Sequence, residues 1–270
     1  FLEIQIVDKI IDKKTAEVFG LEENQIVIMI HCGSRGFGHQ IASDYIEIID
    51  KEYGHENLPD RQLIGSPIKS EIGKKYYKAM CAAANFAFCN KQILTHLVRE
   101  VMKTFFKNIE INVVYDICHN IAKFEEHEIN GKKEILCVHR KGATRSYGPG
   151  KKELPEKYQK VGQPILIPGS MGTASYVLVG TKEAEKLSFS STAHGAGRLM
   201  SRHQAMKSLN KEKVEKELEK NKVFFMTRSV KGLLEEAPEV YKDIDEVVKV
   251  SDELGIGKIV ARLKPMIVIK

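Results

Sequence analysis

Three histidines share one setting in this chain of 270 residues: His31 in IVIMIHCGSRG, His119 in VVYDICHN and His194 in SFSSTAHGAGR each follow a strand-like run, and two enter small-residue loops. A neutral imidazole binds Mn, Zn, Fe or Cu and also serves as a nucleophile. At a strand end it emerges where a sheet edge meets a cavity. Gly33, Gly36, Gly38, Gly195 and Gly197 would let backbone N–H groups approach a bound anion without side-chain obstruction. Any one such histidine taken alone is better read as a hydrogen-bonded structural residue. Three in matching settings point to chemistry.

His31 and His119 are the candidate metal ligands, although no HExxH-type spacing joins them. Asp116 and Cys118, beside His119, are either further ligands or packing residues. Two stretches, Pro168-Gly-Ser-Met-Gly172 and His194-Gly-Ala-Gly197, would offer backbone donors to phosphates, or else are plain turns. Neither matches GxxxxGK[ST] or GxGxxG, which counts against a familiar NTPase or NAD domain. The run His139 to Arg145, with Arg35, Arg198 and Arg202, would line an anionic groove or form a solvated hairpin end. Arg198 stands four residues beyond His194, where a cation would favour the neutral imidazole and hold a phosphate.

The elements that must position these groups follow from periodicity. Leu2, Ile4 and Ile6 alternate with Glu3 and Gln5 as in a strand, Asp8 to Asn24 reads as a polar hairpin or loop, and Gln25 to His31 is a second strand. A helix is expected over Gln40 to Glu52, with Ile41, Tyr45, Ile48 and Ile49 on one face, and a long one over Lys74 to Phe106. The small and apolar middle of the long helix, AMCAAANFAFCNKQ, predicts burial. Then come a strand at Asn112 to Asp116, a hairpin turning at Asn130-Gly131, strands before and after the 168–172 loop, and helices over Arg202 to Lys222 and Glu239 to Leu254. Mixed and antiparallel strands with few helices between them predict an α+β fold, with flanking helices around a central cleft.

Composition bounds the rest. The chain is 43% hydrophobic and 29% charged, ordinary for a globular protein, and its net charge of +6 permits a polyanionic partner without requiring one. Five cysteines without a CxxC pair, and no apolar run of membrane-spanning length, lead to the expectation of a reducing cytoplasm, or a nucleus in a eukaryotic cell, and of no membrane partner. The chain opens on Phe1 within a strand already under way and stops on the apolar run ending at Ile269 and Lys270. The expectation is therefore the carboxy-terminal part of a longer protein.

Taken in order, HCGSRGFGHQ, YDICHNIAKFEEH, VHRKGATR, GQPILIPGSMGTASYVL and STAHGAGRLMSR closely resemble the RtcB family of RNA-splicing ligases, over residues 1–270. The resemblance implies one RtcB-like catalytic domain lacking its amino-terminal part. It also implies an enzyme that uses GTP and manganese to join RNA 3′-phosphate or 2′,3′-cyclic phosphate ends to 5′-hydroxyl ends, in tRNA splicing or RNA repair. By the same resemblance His194 takes up GMP, and His31 and His119 bind one manganese of a two-metal centre whose other ligands precede Phe1. Guanylate contacts would come from Phe1, Leu2, Glu3, Asn120, Pro168, Gly169, Ser170, Met171, Ser175, Gly195, Ala196, Gly197, Tyr241 and Lys270. Arg35, Lys141, Arg145 and Arg198 are expected to contact phosphate or RNA. The usual glycine after Lys270 is absent. RNA, the activating protein archease and a tRNA-splicing assembly are the implied partners. Two other readings stand beside this one: a metal-dependent phosphoesterase that ignores GTP, and a truncated chain that binds RNA or nucleotide without turnover.

Overall fold

The computed structural model describes residues 1–227 and 229–270, and these fold as two units, Phe1–Met29 with Asn112–Lys270, and Ile30–Ile111. The chain begins with β1 (Leu2–Ile10), α1 (Lys13–Phe19) and β2 (Ile26–Ile30). The smaller unit then holds α2 (Gly36–Tyr53) and α3 (Glu71–Phe105). The larger unit resumes with β3 (His119–Ile129), β4 (Lys132–Arg145), β5 (Pro164–Ile167), β6 (Ser175–Val179), α4 (Lys182–Ser188) and β7 (Ser191–Ala193). It ends with α5 (Arg202–Ser208), α6 (Lys211–Lys220), β8 (Phe224–Met226), α7 (Val230–Glu235), α8 (Ile244–Glu253) and β9 (Lys258–Ile269). The fold is α+β, as the strand pattern predicts. No helix among the described residues is long and apolar enough to cross a membrane.

In the larger unit the main sheet runs β2-β1-β9-β6-β5, with β8 parallel to β9. β6 explains its apolar composition, SYVLV: Val177 and Val179 join a core with Val7, Phe19, Tyr158 and Leu263, while Tyr176 and Leu178 join another with Ile165, Ile244 and Val248. Successive residues thus feed opposite faces of a strand covered on both sides. A third core, with Met171, Leu218, Leu233 and Val268, lies under α6 and α7. The second sheet is β3-β4-β7, antiparallel throughout. Its hairpin turns at Asn130 and Gly131, both at positive φ (50° and 77°), as the Asn-Gly pair predicts for a type I′ turn.

Several expected elements are corrected. Asp8 to Asn24 is not a loop: β1 continues to Ile10, and Asp12 caps α1 by accepting from the Thr15 N–H, with Gly20 closing it in the left-handed region. Asn112 to Asp116 is not a paired strand. It lies outside both sheets, the Val114 carbonyl accepting from the Tyr158 hydroxyl at 2.5 Å, and His119 begins a strand where a strand end is expected. The helix expected over Arg202 to Lys222 is two, because Asn210 caps α6 anew. The last helix starts at Ile244 instead of Glu239, after the Asp243 cap.

The smaller unit corrects the expected burial of the long helix. Gly73 and Ala83 are its only buried residues, and Phe86, Ile93, Leu97 and Val101 are exposed. The reason is length: α3 extends about 52 Å and α2 about 27 Å, so α2 can cover only part of one stripe. The ring contact of Tyr45 with Tyr76 marks the covered part, while Phe37 and Phe86 touch with both rings still exposed. Ile48, expected on the packed face of α2, is 44% exposed.

Candidate functional site

The β3-β4-β7 sheet brings two of the three histidines together. His119 opens β3 opposite Thr144 of β4, and Ala193, opposite Ala143, ends β7 one residue before His194. The two imidazoles stack, centroids 4.3 Å apart and planes within 5°. Burial, then His119, then Lys141 push the His194 pKa down to about 4. A neutral ring with a free lone pair is therefore the form at pH 7. Its Nδ1 is buried and has no hydrogen-bond partner of good geometry among the described residues. Gly142, at φ 72°, lies against the ring, the place of a Cβ there being 3.7 Å from its Cδ2 and Nε2. Asn120, at φ 56°, holds Gly142 by accepting its N–H at 3.0 Å.

A second cluster gathers where β1, β6 and the 168–174 loop meet. The Gln5 amide donates to Glu3 Oε2 at 2.7 Å and to Ser175 Oγ at 3.0 Å, and the same hydroxyl accepts from the Gly169 N–H at 3.2 Å. Glu3 and Gln5 are buried, on the strand face opposite the apolar Leu2, Ile4 and Ile6. Burial, opposed by Lys270, raises the Glu3 carboxyl to about 7. Ser170 is held by Thr173, whose hydroxyl accepts from the Ser170 N–H at 2.8 Å. Met171 packs into the core under α6. The 168–174 loop ties to the 194–197 loop through the Ala196 N–H, which donates to the Pro168 carbonyl at 3.2 Å. Gly195 fits close by, as a Cβ there would sit 3.3 Å from that carbonyl.

Glu236 organises a third cluster. Its carboxylate accepts from Lys270 Nζ at 3.1 Å and from the Tyr241 hydroxyl, and lies 3.5 Å from Arg198 Nη1. Burial opposes its ionisation, but Lys270, Tyr241 and Arg198 outweigh that and hold it below the usual carboxylate range. Lys270 Nζ also lies 4.8 Å from the centre of the Phe1 ring, with Leu2 of β1 opposite Ile269 of β9. Nothing in LLEEAPEV separates Glu236 from Glu235 by pattern, so the sequence reading misses it.

The cations divide. Arg198 is spoken for: it donates to the carbonyls of Met200 and Glu235 and to the Tyr241 hydroxyl, and the charges that depress His194 are those of His119 and Lys141 instead. Arg145 donates to Gln163 Oε1 at 3.0 Å and covers the Tyr147 ring. Lys141 is exposed. In the smaller unit Arg35, also exposed, sits at φ 53° ahead of α2, and Asn90 of α3 donates to the Gly33 carbonyl in the loop after His31. Gly36 and Gly38, expected in that loop, belong to the first turn of α2. No three His, Cys, Asp or Glu side chains among the described residues could hold a metal ion together. By themselves the residues present do not fit a metal centre.

Comparison with known proteins matches residues 1–270 to the family model described as tRNA-splicing ligase RtcB. Proteins of that name from Archaeoglobus fulgidus, Nanoarchaeum equitans and Pyrococcus abyssi are 53%, 54% and 50% identical over the whole chain, which covers 57%, 57% and 30% of their respective lengths. The chain thus spans little more than half the length of the first two relatives and under a third of the other. With the family model matched over residues 1–270 and such relatives covering the whole chain, the chain belongs to the RtcB family.

Proposed function

We propose that this chain carries the nucleotide-transfer centre of a GTP-dependent RNA ligase, which joins RNA 3′-phosphate or 2′,3′-cyclic phosphate ends to 5′-hydroxyl ends. The observation that carries the reading is His194, a buried imidazole kept neutral beside His119 in a chain of this family. A neutral ring nitrogen attacks the α-phosphorus of GTP, the bond to pyrophosphate breaks, and GMP stays linked to His194 by a P–N bond. An oxygen of the RNA 3′-phosphate then displaces the imidazole, giving a diphosphate-linked end. The 5′-hydroxyl attacks the 3′-phosphorus, loses its proton, and GMP leaves.

The remaining groups suit the nucleotide. Ionised Glu3 would accept the two N–H donors on the Watson–Crick edge of guanine, beside the Ser175 hydroxyl and Lys270, while adenine offers an acceptor at the middle position. Phe1 and Tyr241 supply rings, and the 168–171 and 195–197 loops supply N–H groups for sugar and phosphates. Lys141 and Arg35 are the exposed cations for RNA phosphate; Arg198 and Arg145 would have to exchange internal partners to act so. Manganese enters the proposal by the family resemblance alone, with His119 the imidazole that the larger unit would offer it. RNA, as tRNA halves or broken strands, is the proposed substrate, archease and a tRNA-splicing assembly the proposed partners, and the cytoplasm the proposed location.

The test is incubation of the full-length protein with α-labelled GTP and Mn²⁺, beside a His194→Ala control. A label that survives denaturation and disappears in the control is expected. Folded, metal-supplied protein that stays unlabelled even with archease added would overturn the reading in favour of a phosphoesterase or a binding-only chain.

A further inference from the structure

The β3–β4 hairpin holds a buried ion pair that none of these steps uses. Glu125 and Arg140 are 5% and 3% exposed, and the guanidinium grips the carboxylate with both arms, Nη1 to Oε1 at 2.8 Å and Nη2 to Oε2 at 2.7 Å. The same guanidinium reaches beyond its own hairpin. Its Nε donates to Ser191 Oγ at 2.9 Å, and Nη2 to the carbonyls of Phe189 at 2.9 Å and Ser190 at 3.2 Å. His127, also buried, sets Nε2 3.3 Å from Glu125 Oε2 and its ring edge-on to Phe189.

Those three residues carry the chain from α4 into β7. Phe189 and Ser190 stand at φ 49° and 51°, a left-handed backbone that residues with a Cβ adopt only when their surroundings impose it. Backbone bonds hold the Ser190 peptide, its carbonyl accepting from the Ser146 N–H at 2.7 Å and its N–H donating to the Ala184 carbonyl at 2.8 Å; Arg140 is the side chain that reaches both carbonyls of the strained pair and the hydroxyl that follows. β7 is only three residues long, so whatever fixes its start fixes its end, where His194 begins. Stability alone gives no reason to bury a charge pair here, since well-packed apolar residues of similar volume usually serve as well. A planar fork fixed by one carboxylate and aimed at a turn gives position.

We propose that Arg140, oriented by Glu125, is a positioning residue for His194: through the 189–191 turn it sets where β7 starts, and so holds the His194 ring against His119. The kinetic consequence rests on the nucleotide-transfer reading above. The geometric consequence does not.

The experiment compares full-length wild type with Arg140→Lys and Glu125→Gln. Diethyl pyrocarbonate modification of His194, read by mass spectrometry with exposed His203 as internal control, reports the ring's seating without GTP. In both variants modification of His194 should speed up about threefold or more while His203 stays constant, and single-turnover GMP uptake should fall roughly tenfold or more with the GTP KM within about twofold, since small misplacements of a reacting group act on the chemical step. Unchanged His194 modification and uptake in folded variants would overturn the proposal. So would equal acceleration at His194 and His203, which would mark a general loss of structure. If neither variant folds, the double replacement Arg140→Met with Glu125→Leu keeps the interior filled and removes the fork; wild-type behaviour at His194 would then overturn the assignment. If wild type takes up no GMP at all, the ligase reading fails, and His194 modification alone decides for or against the positioning role.

Discussion

Glu3 is a carboxyl buried on a strand whose neighbours Leu2, Ile4 and Ile6 look like the inward face, and its raised pKa of about 7 makes a testable claim about stability. A carboxyl whose folded pKa exceeds its unfolded value binds its proton more tightly when folded. Its stabilising effect is complete below about 4.5 and is lost as pH rises through about 7, a span worth about 3 kcal/mol. Urea unfolding at pH 5 and pH 8 should show wild type losing about that much more than Glu3→Gln; equal losses would mean burial does not govern the group. If guanine needs the ionised form, GTP affinity should also rise roughly tenfold per pH unit below 7 in wild type and stay flat in the variant. Alternation alone marks two faces of β1. It cannot say that the polar face is the buried one, because Glu3 and Gln5 are accommodated by Ser175, 170 residues beyond Gln5, and by Lys270 at the far end of the chain. His194 is legible for the opposite reason: its glycines and strand are local.

Local chemistry explains which elements can be read ahead. Strands β5 and β6 and the β3–β4 hairpin follow from apolar runs and an Asn-Gly turn, whereas α1 is one seven-residue helix among charged residues, readable only from its caps. Asp12→Ala should therefore cost about 1 kcal/mol in chemical denaturation, and no change would mean that packing of Ala16 and Phe19 alone holds α1. Loops make a sharper prediction. A Cβ on Gly169 would stand 2.1 Å from the Ala174 carbonyl oxygen and 2.5 Å from Thr173 Oγ1, so Gly169→Ala must open the 168–174 loop. Overpacking of this kind costs about 1–3 kcal/mol. A melting curve should show it together with weakened GTP binding, because the loop carries the Gly169 N–H to Ser175 and the Pro168 carbonyl to Ala196. Stability lost with GTP binding intact would separate the loop from the nucleotide.

For the whole molecule the relevant quantity is charge that is free to act. The net charge of +6 is visible in the composition, and the basic run from His139 to Arg145 is visible in the sequence. Which cations are already engaged is not, since Arg145 finds Gln163 18 residues on and Arg198 finds Tyr241 43 residues on, with Glu236 beside it. Each phosphate neutralised on single-stranded RNA adds about 0.7 to the slope of log affinity against log salt concentration. Lys141, exposed on the central strand of the His194 sheet, should count; Arg145, committed inside the fold, should not. Fluorescence anisotropy of a labelled single-stranded RNA across a salt series should then show Lys141→Ala shallower than wild type by about 0.7 and Arg145→Ala parallel to it. Arg145→Ala should instead register in a melting curve, at about 1–3 kcal/mol, because the buried Gln163 oxygen loses its donor. Equal drops in slope for both variants would show that Arg145 leaves Gln163 to meet phosphate, and that RNA rearranges this face of the larger unit as it binds.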